Sequence, residues 1–158
     1  GKLGIPDAIL QKPGKLTDQE HDMMKQHTII GGRILGGSQA PLLKLSEEIA
    51  LTHHEKIDGT GYPNKLKGEA IPLTGRMAAI ADVFDALTSK RCYKPAFTFE
   101  KAKQIILEGR NTHFDAPLVD LFFSKFDKVI EVKRQFDGGR VTQELQAPPL
   151  FSPADIKT

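Results

Sequence analysis

The stretch Ala50-Leu51-Thr52-His53-His54-Glu55-Lys56-Ile57-Asp58-Gly59-Thr60-Gly61-Tyr62-Pro63 decides how this chain is read. It opens as the end of an amphipathic helix and closes as a loop that cannot be helical. Neighbouring residues leave a helix about 100° apart. His53 and His54 therefore suit two adjacent ions, or an ion and its bridging ligand, better than a single ion. Gly59 and Gly61 permit a positive φ or a close backbone approach, and Pro63 fixes the exit. Tyr62 lies between these breakers, with its ring and hydroxyl available to a ligand. The plainer reading of the pair is a helix C-terminus carrying two half-exposed histidines, where partial positive charge is favoured.

Upstream, Pro41 starts the helix that carries Leu42, Leu45, Ile49 and His53, so His53 continues a core-facing stripe. Before it, Thr17-Asp18-Gln19-Glu20 has the form of a capping box and predicts a helix running to about Leu35. Met23, Met24, His27, Ile30, Ile34 and Leu35 give that helix an apolar stripe at helical spacing. His27 lies on the stripe and reads first as a core histidine, whereas His21, between Glu20 and Asp22, reads as solvated. Gly36-Gly37-Ser38 ends the helix. At the start of the chain, Gly4 and Pro6 exclude a continuous helix from residue 1, and Lys12-Pro13-Gly14-Lys15 is a turn.

Downstream, residues 55–73 form a Gly-, Pro- and Lys-rich loop longer than most helix connections, and such loops are usually functional or disordered. Arg76 to Lys90 reads as the most buried helix, with apolar residues on nearly all faces. Asp82 and Asp85 lie inside it, one turn apart. Carboxylates in such surroundings need cations, hydrogen-bond donors or a metal. Ser89 to Pro95 is a basic loop that also suits a plain helix C-terminus. Thr98 caps a further helix through Leu107. Asn111-Thr112-His113-Phe114-Asp115 is a turn that His113 orders, and Asp115 caps a last long helix of about 116–134. From Phe136 onward, Gly138-Gly139, Pro148, Pro149 and Pro153 predict a tail. No segment reads as a convincing strand, so the expected fold class is all-α.

The composition suits one soluble domain: 39% hydrophobic and 27% charged residues lie in the ordinary globular range. A net charge of +2 does not by itself argue for a nucleic-acid polymer as partner. The single cysteine, Cys92, excludes an internal disulfide and fits a reducing, cytoplasmic compartment. No apolar run reaches the length of a membrane span.

His27, the His53-His54 pair and Asp82 fall on the inward faces of three consecutive predicted helices. Nitrogen and carboxylate donors of this kind suit iron, manganese and other first-row metals better than calcium. With Gly59-Thr60-Gly61-Tyr62-Pro63, the pattern resembles the HD-GYP family, a branch of the HD metal-dependent phosphohydrolases. The resemblance runs from Gly1 to about Asp115. It is carried by Gly-Lys-Leu-Gly-Ile-Pro-Asp, Lys-Pro-Gly-Lys-Leu-Thr, Met-Lys-Gln-His, the His-His-Glu-Lys-Ile-Asp-Gly-Thr-Gly-Tyr-Pro stretch, Ala-Asp-Val-Phe-Asp-Ala-Leu-Thr-Ser and Thr-His-Phe-Asp.

Members of that family hydrolyse the bacterial second messenger cyclic di-GMP, and some take related cyclic dinucleotides. The resemblance implies an HD-type helical bundle over residues 1–135 and a tail over 136–158. It implies His27, His53, His54 and Asp82 as ligands of two or three divalent ions, iron or manganese. Asp85 becomes a group orienting a ligand histidine. Lys2 matches the lysine at the scissile phosphate, while Gly61, Tyr62, Pro63, Arg91 and Lys94 match substrate-binding positions.

In the family's His-Asp-x-Gly-Lys motif a His-Asp dyad stands just before the Gly-Lys that is Gly1-Lys2 here, and a further Glu and His lie upstream of that dyad. The expectation is therefore a longer natural protein, with an upstream sensor or receiver domain, and little turnover from this chain alone. Lys2 would then sit at a frayed terminus. Apolar stripes left uncovered leave a homodimer open. The leading reading is a metal-dependent phosphodiesterase opening cyclic di-GMP to pGpG and further to GMP. Its alternative is a non-catalytic cyclic-dinucleotide-binding or docking module with an incomplete metal site. Activity on ordinary nucleotides is disfavoured by the Gly-Tyr-Pro loop.

Overall fold

The structure is a computed structural model that describes residues 1–90 and 95–137, with the side chain of Asp137 left aside. The described residues are helical and contain no named strand. A 3₁₀ turn, Lys2–Gly4, leads into α1 (Asp7–Leu10) and then α2 (Asp18–Leu35). Next come α3 (Pro41–Thr52), a second 3₁₀ turn at Gly68–Ala70, and α4 (Leu73–Thr88). Helices α5 (Phe99–Glu108), α6 (Ala116–Ser124) and α7 (Phe126–Asp137) complete the order. None is long and apolar enough to cross a membrane. The chain divides into two compact units after Ser124, and the candidate site lies in the first. The expected single helix of 116–134 is therefore two helices, parted by a turn at Lys125.

Local chemistry sets most helix ends. Thr17 accepts from the Glu20 amide at 3.3 Å, and the Glu20 carboxylate accepts from the Thr17 amide at 2.7 Å, so the capping box is complete. Pro41 occupies the first turn of α3, where no amide proton is needed. Thr98 caps α5 through the Lys101 amide at 3.2 Å. The first unit buries Ile5, Ile9, Ile71, Ile80, Phe84, Ile106, Phe114 and Val119. Phe84 packs edge-on against Phe122 at 5.4 Å between ring centroids.

Two expectations about burial are corrected. On α2 the buried positions are His27, Thr28, Gly31 and Gly32, whereas Met23 and Ile34 are exposed. The small residues face α3, because only they let its backbone approach. A Cβ on Gly32 would stand 2.6 Å from Leu51 Cδ2, and one on Gly31 would stand 3.2 Å from Ala50 Cβ. Leu42 and Leu45 on α3 are likewise exposed. The second correction concerns α4, which buries Gly75, Ala79, Ile80, Phe84 and Thr88 and leaves Asp82 and Asp85 on its exposed side. Its many alanines raise its apolar content without giving it an apolar surface all round.

Helices α3 and α4 meet at a glycine. A Cβ on Gly75 would lie 2.2 Å from Thr52 Oγ1 and 2.7 Å from Thr52 Cβ, beside the histidine pair. Thr52 is buried, and its hydroxyl is committed to the Glu48 carbonyl at 2.6 Å, so it has no room to yield. Gly75→Ala should therefore destabilise the fold by about 1–3 kcal/mol through overpacking. A urea midpoint unchanged from that of the parent chain would contradict this close contact.

Candidate metal centre

Three histidines from two helices converge. His27 comes from the middle of α2, His53 is the residue just past α3, and His54 lies in the turn that follows. One ring nitrogen from each can be chosen so that all three lie within 4.8 Å of one another. The ring centroids of His53 and His54 are 4.2 Å apart, and those of His27 and His54 are 5.0 Å apart. α3 ends at Thr52, His53 keeps an αR backbone as its C-cap, and the chain turns at His54. Both rings then face His27.

Hydrogen bonding decides what this triad can do. His27 Nδ1 stands 2.8 Å from the Met24 carbonyl oxygen, and His53 Nδ1 stands 2.8 Å from the Ile49 carbonyl oxygen. A carbonyl only accepts, so each Nδ1 carries the proton and donates it. A neutral ring in that tautomer has a bare Nε2. The two Nε2 atoms are 3.3 Å apart. Two bare lone pairs at that distance repel unless a cation, either a proton or a metal ion, lies between them.

Burial of His27 lowers its proton affinity, the Met24 carbonyl opposes this, and the charges of His53 and Lys2 add to the lowering. Burial, with the other two histidines and Lys2, pushes His54 down to about 3. The site thus disfavours protons while presenting bare nitrogens. Imidazole–metal bonds run about 2.0–2.1 Å, which puts two nitrogens on adjacent positions of one ion about 3.0–3.4 Å apart. The donor set and its spacing fit a first-row divalent ion. The carbonyls on Nδ1 fix tautomer and orientation, as the outer partners of metal-bound histidines do.

The Gly-Tyr-Pro loop closes over this triad. The Tyr62 ring stacks on His54 at 4.8 Å and 26°, and the Tyr62 amide donates to the His54 carbonyl at 3.2 Å. Gly61 is required here, since a Cβ on it would stand 2.4 Å from the Lys56 amide nitrogen. The Tyr62–Pro63 peptide is cis. Burial, then the nearby Asp82 charge, pushes the Tyr62 phenol up to about 12, so it keeps its proton and can donate. The loop is ordered from outside as well. The Ile57 and Asp58 amides donate to the carbonyls of His113 and Thr112, so the 111–115 turn does its ordering through its backbone.

The other predicted site residues are placed less centrally. Asp82 is exposed and its carboxylate is not among the converging ligand atoms, although its charge acts on Tyr62. Asp85 is exposed and accepts from the Ser89 hydroxyl at 3.2 Å, while carbonyls orient His27 and His53. Lys2 is exposed and begins a 3₁₀ turn. The turn is closed by Gly4 N to Gly1 O and Ile5 N to Lys2 O, both 3.0 Å. A Cβ on Gly1 would lie 1.7 Å from the His27 carbonyl oxygen, which brings Lys2 close enough for its charge to reach His27 and His54. Arg91 and Lys94 lie outside the described residues. Glu55 went unassigned in the sequence, yet it is 2% exposed within the loop. Its place directly after the histidine pair was the available signal.

A sequence profile of the HD domain family matches residues 1–118. The chain belongs to the HD domain family, in agreement with the resemblance its motifs carry. It is 53% identical over 141 residues to a cyclic di-GMP phosphodiesterase of Vibrio cholerae, covering 86% of this chain and 29% of that protein. It is 47% identical to a 3'3'-cGAMP-specific phosphodiesterase of the same organism, covering 84% of this chain and 26% of the relative. A cyclic di-GMP phosphodiesterase of Thermotoga maritima is also 47% identical, with 85% and 37% covered. The chain thus spans well under half the length of these relatives.

The depressed histidines give the metal-free fold a pH dependence of definite sign. Unfolded histidines take protons near pH 6.5, whereas folded His27 and His54 resist protonation, His54 down to about 3. Below about pH 6.5 the unfolded state binds more protons, so stability is lost as the pH falls. Between about pH 6.5 and 5, where carboxylates hardly titrate, the denaturant midpoint of the chelator-treated chain should drop. The drop should be smaller in His54→Gln, and equal drops in both would contradict the burial of that ring.

Proposed function

We propose that this chain forms part of a metal-dependent cyclic-dinucleotide phosphodiesterase of the HD-GYP branch, acting on cyclic di-GMP and yielding pGpG and then GMP. The observation that carries this reading is the pair of bare Nε2 atoms 3.3 Å apart, with His54 beside them and Tyr62 closing over it. The curated relatives that hydrolyse cyclic di-GMP and 3'3'-cGAMP support the substrate class.

In this reading His27, His53 and His54 hold divalent metal, iron or manganese, with Asp82 as a carboxylate ligand. Two or three bound ions would lower the pKa of a bridging water and polarise the phosphoryl oxygens. His27 and His53 stay aimed because the Met24 and Ile49 carbonyls keep each Nδ1 proton in place. Tyr62 donates its phenolic proton to a substrate oxygen, with Gly61 and Pro63 shaping the turn around it. Lys2, Arg91 and Lys94 offset phosphate charge, the arginine through its paired donors. Asp85 acts at one remove, through its neighbours on α4. The setting is cytoplasmic bacterial second-messenger signalling. An upstream sensor or receiver domain and a homodimer belong to the same reading.

The test pairs metal analysis with product chromatography. The full gene product, loaded anaerobically with Mn²⁺ or Fe²⁺, should convert cyclic di-GMP to pGpG, and the 158-residue chain alone should do so far less. His53→Ala and His54→Ala should each lose metal while keeping helical circular dichroism. Metal bound by the wild type without turnover in the full gene product would instead favour a non-catalytic binding module. Full metal loading in both variants would remove the ligand assignment.

Arg91→Ala should lower kcat/KM for cyclic di-GMP by about one to two decades, the loss of one charge-assisted contact. Unchanged steady-state kinetics would return Arg91 to a solvated helix end.

A further inference from the structure

We propose that Glu55 is the positioning residue that sets Tyr62 over the metal centre, by anchoring the far end of the Gly-Tyr-Pro loop to the histidine turn. Glu55 follows His54 directly, and its side chain is nearly inaccessible, with 2% of its surface exposed. Its Oε1 accepts from the Asn64 amide at 2.7 Å, and its Oε2 accepts from the Leu66 amide at 3.0 Å. One carboxylate thus binds two backbone amides on alternate residues just beyond Pro63. No cation is needed to explain the buried charge, because two dipoles aimed at it replace water.

This anchor has a counterpart at the near end of the loop. The Tyr62 amide donates to the His54 carbonyl, so consecutive residues His54 and Glu55 hold opposite ends of the Tyr62–Leu66 segment. The segment has little freedom of its own to stay in place. Lys65 adopts φ 55°, a left-handed conformation that a non-glycine residue keeps only where its surroundings impose it. Gly61 sits against the Glu55 backbone, where a Cβ would come within 2.5 Å of Glu55 Cα. Without the carboxylate, the Asn64 and Leu66 amides lose their partners, and the nearest remaining ties are the Tyr62 amide on the His54 carbonyl and the Gly68 amide on the Ile57 carbonyl. The ring of Tyr62 would then leave the His54 ring, on which it lies at 4.8 Å. Both Glu55 oxygens are engaged by the Asn64 and Leu66 amides, so its effect passes through Tyr62.

The chemistry makes Gln a sharp probe. Gln keeps the shape but offers one acceptor oxygen, and its amide group points donors at the second N–H. In the 158-residue chain, hydrogen exchange by NMR should show the Asn64 and Leu66 amides protected and the Lys65 and Lys67 amides exchanging faster. Glu55→Gln should speed exchange at residue 64 or 66 by about tenfold or more. It should also weaken the ring contact between Tyr62 and His54 seen by nuclear Overhauser effect, while Mn²⁺ uptake is retained. The kinetic arm rests on the phosphodiesterase reading above. In the full gene product, Glu55→Gln should cost about one to two decades in kcat/KM for cyclic di-GMP. On a Tyr62→Ala background the same change should add less than about twofold, since both act through one ring. Additive losses, or retained protection and ring contact in Glu55→Gln, would overturn the assignment. If Glu55→Gln does not fold, the wild-type exchange pattern decides, and equal exchange at residues 64–67 refutes the anchor. A gene product that binds metal but turns over no cyclic dinucleotide would defeat the functional reading, leaving the exchange and ring-contact measurements to judge Glu55 by themselves.

Discussion

Two imidazole nitrogens with no proton to share face each other at 3.3 Å, and much of the surrounding structure serves to hold them there. Each ring has spent its one proton on a carbonyl of its own helix, Met24 for His27 and Ile49 for His53. Rotating either ring to relieve the repulsion would break a buried hydrogen bond, which is costly. On His27, taking up a proton is disfavoured by burial and by the charges of His53 and Lys2. The arrangement is thus strained in one specific way that a divalent ion relieves.

Close helix packing imposes this constraint. Gly31 and Gly32 let α2 approach Ala50 and Leu51 of α3, and Gly75 lets α4 approach Thr52. The tightest of these contacts sets Gly75 against Thr52, whose side chain is buried and hydrogen-bonded to its own helix. The histidines are therefore carried on rigid supports, a requirement for any site whose ligands must keep their geometry. The loop that covers them is less regular but equally tied, through the Glu55 carboxylate, the His54 carbonyl and the 111–115 turn.

The electrostatics are divided between two sides. The histidine side is neutral and proton-poor, and the phenol of Tyr62 is held protonated by burial and by Asp82. Candidate ligand nitrogens and a hydrogen-bond donor thus lie side by side. Asp82 stands on the exposed side of α4, and its charge acts on the Tyr62 phenol.

Much of this was legible from the residues themselves. Thr17 and Glu20 announce the start of α2, Pro41 that of α3, and Thr98 that of α5, because caps and prolines act within one turn of chain. The ordered motifs led to the HD domain family, and the sequence profile over residues 1–118 agrees. Periodicity misled wherever a face depended on a partner element. It placed Met23, Leu42 and Asp82 inward, yet they are exposed, while the buried face of α2 is built of glycines that hydrophobic patterns do not count. Periodicity could not show that His53 and His54 both come within reach of His27, because that depends on how α2 and α3 pack. Glu55 was invisible for a related reason: its partners are backbone amides nine and eleven residues away, and backbone leaves no trace in residue type. The sequence by itself determined the capped helix starts, the breakers and the donor atoms. Only the tertiary structure decided which lone pairs meet, since that depends on how closely two backbones approach and on where a helix stops.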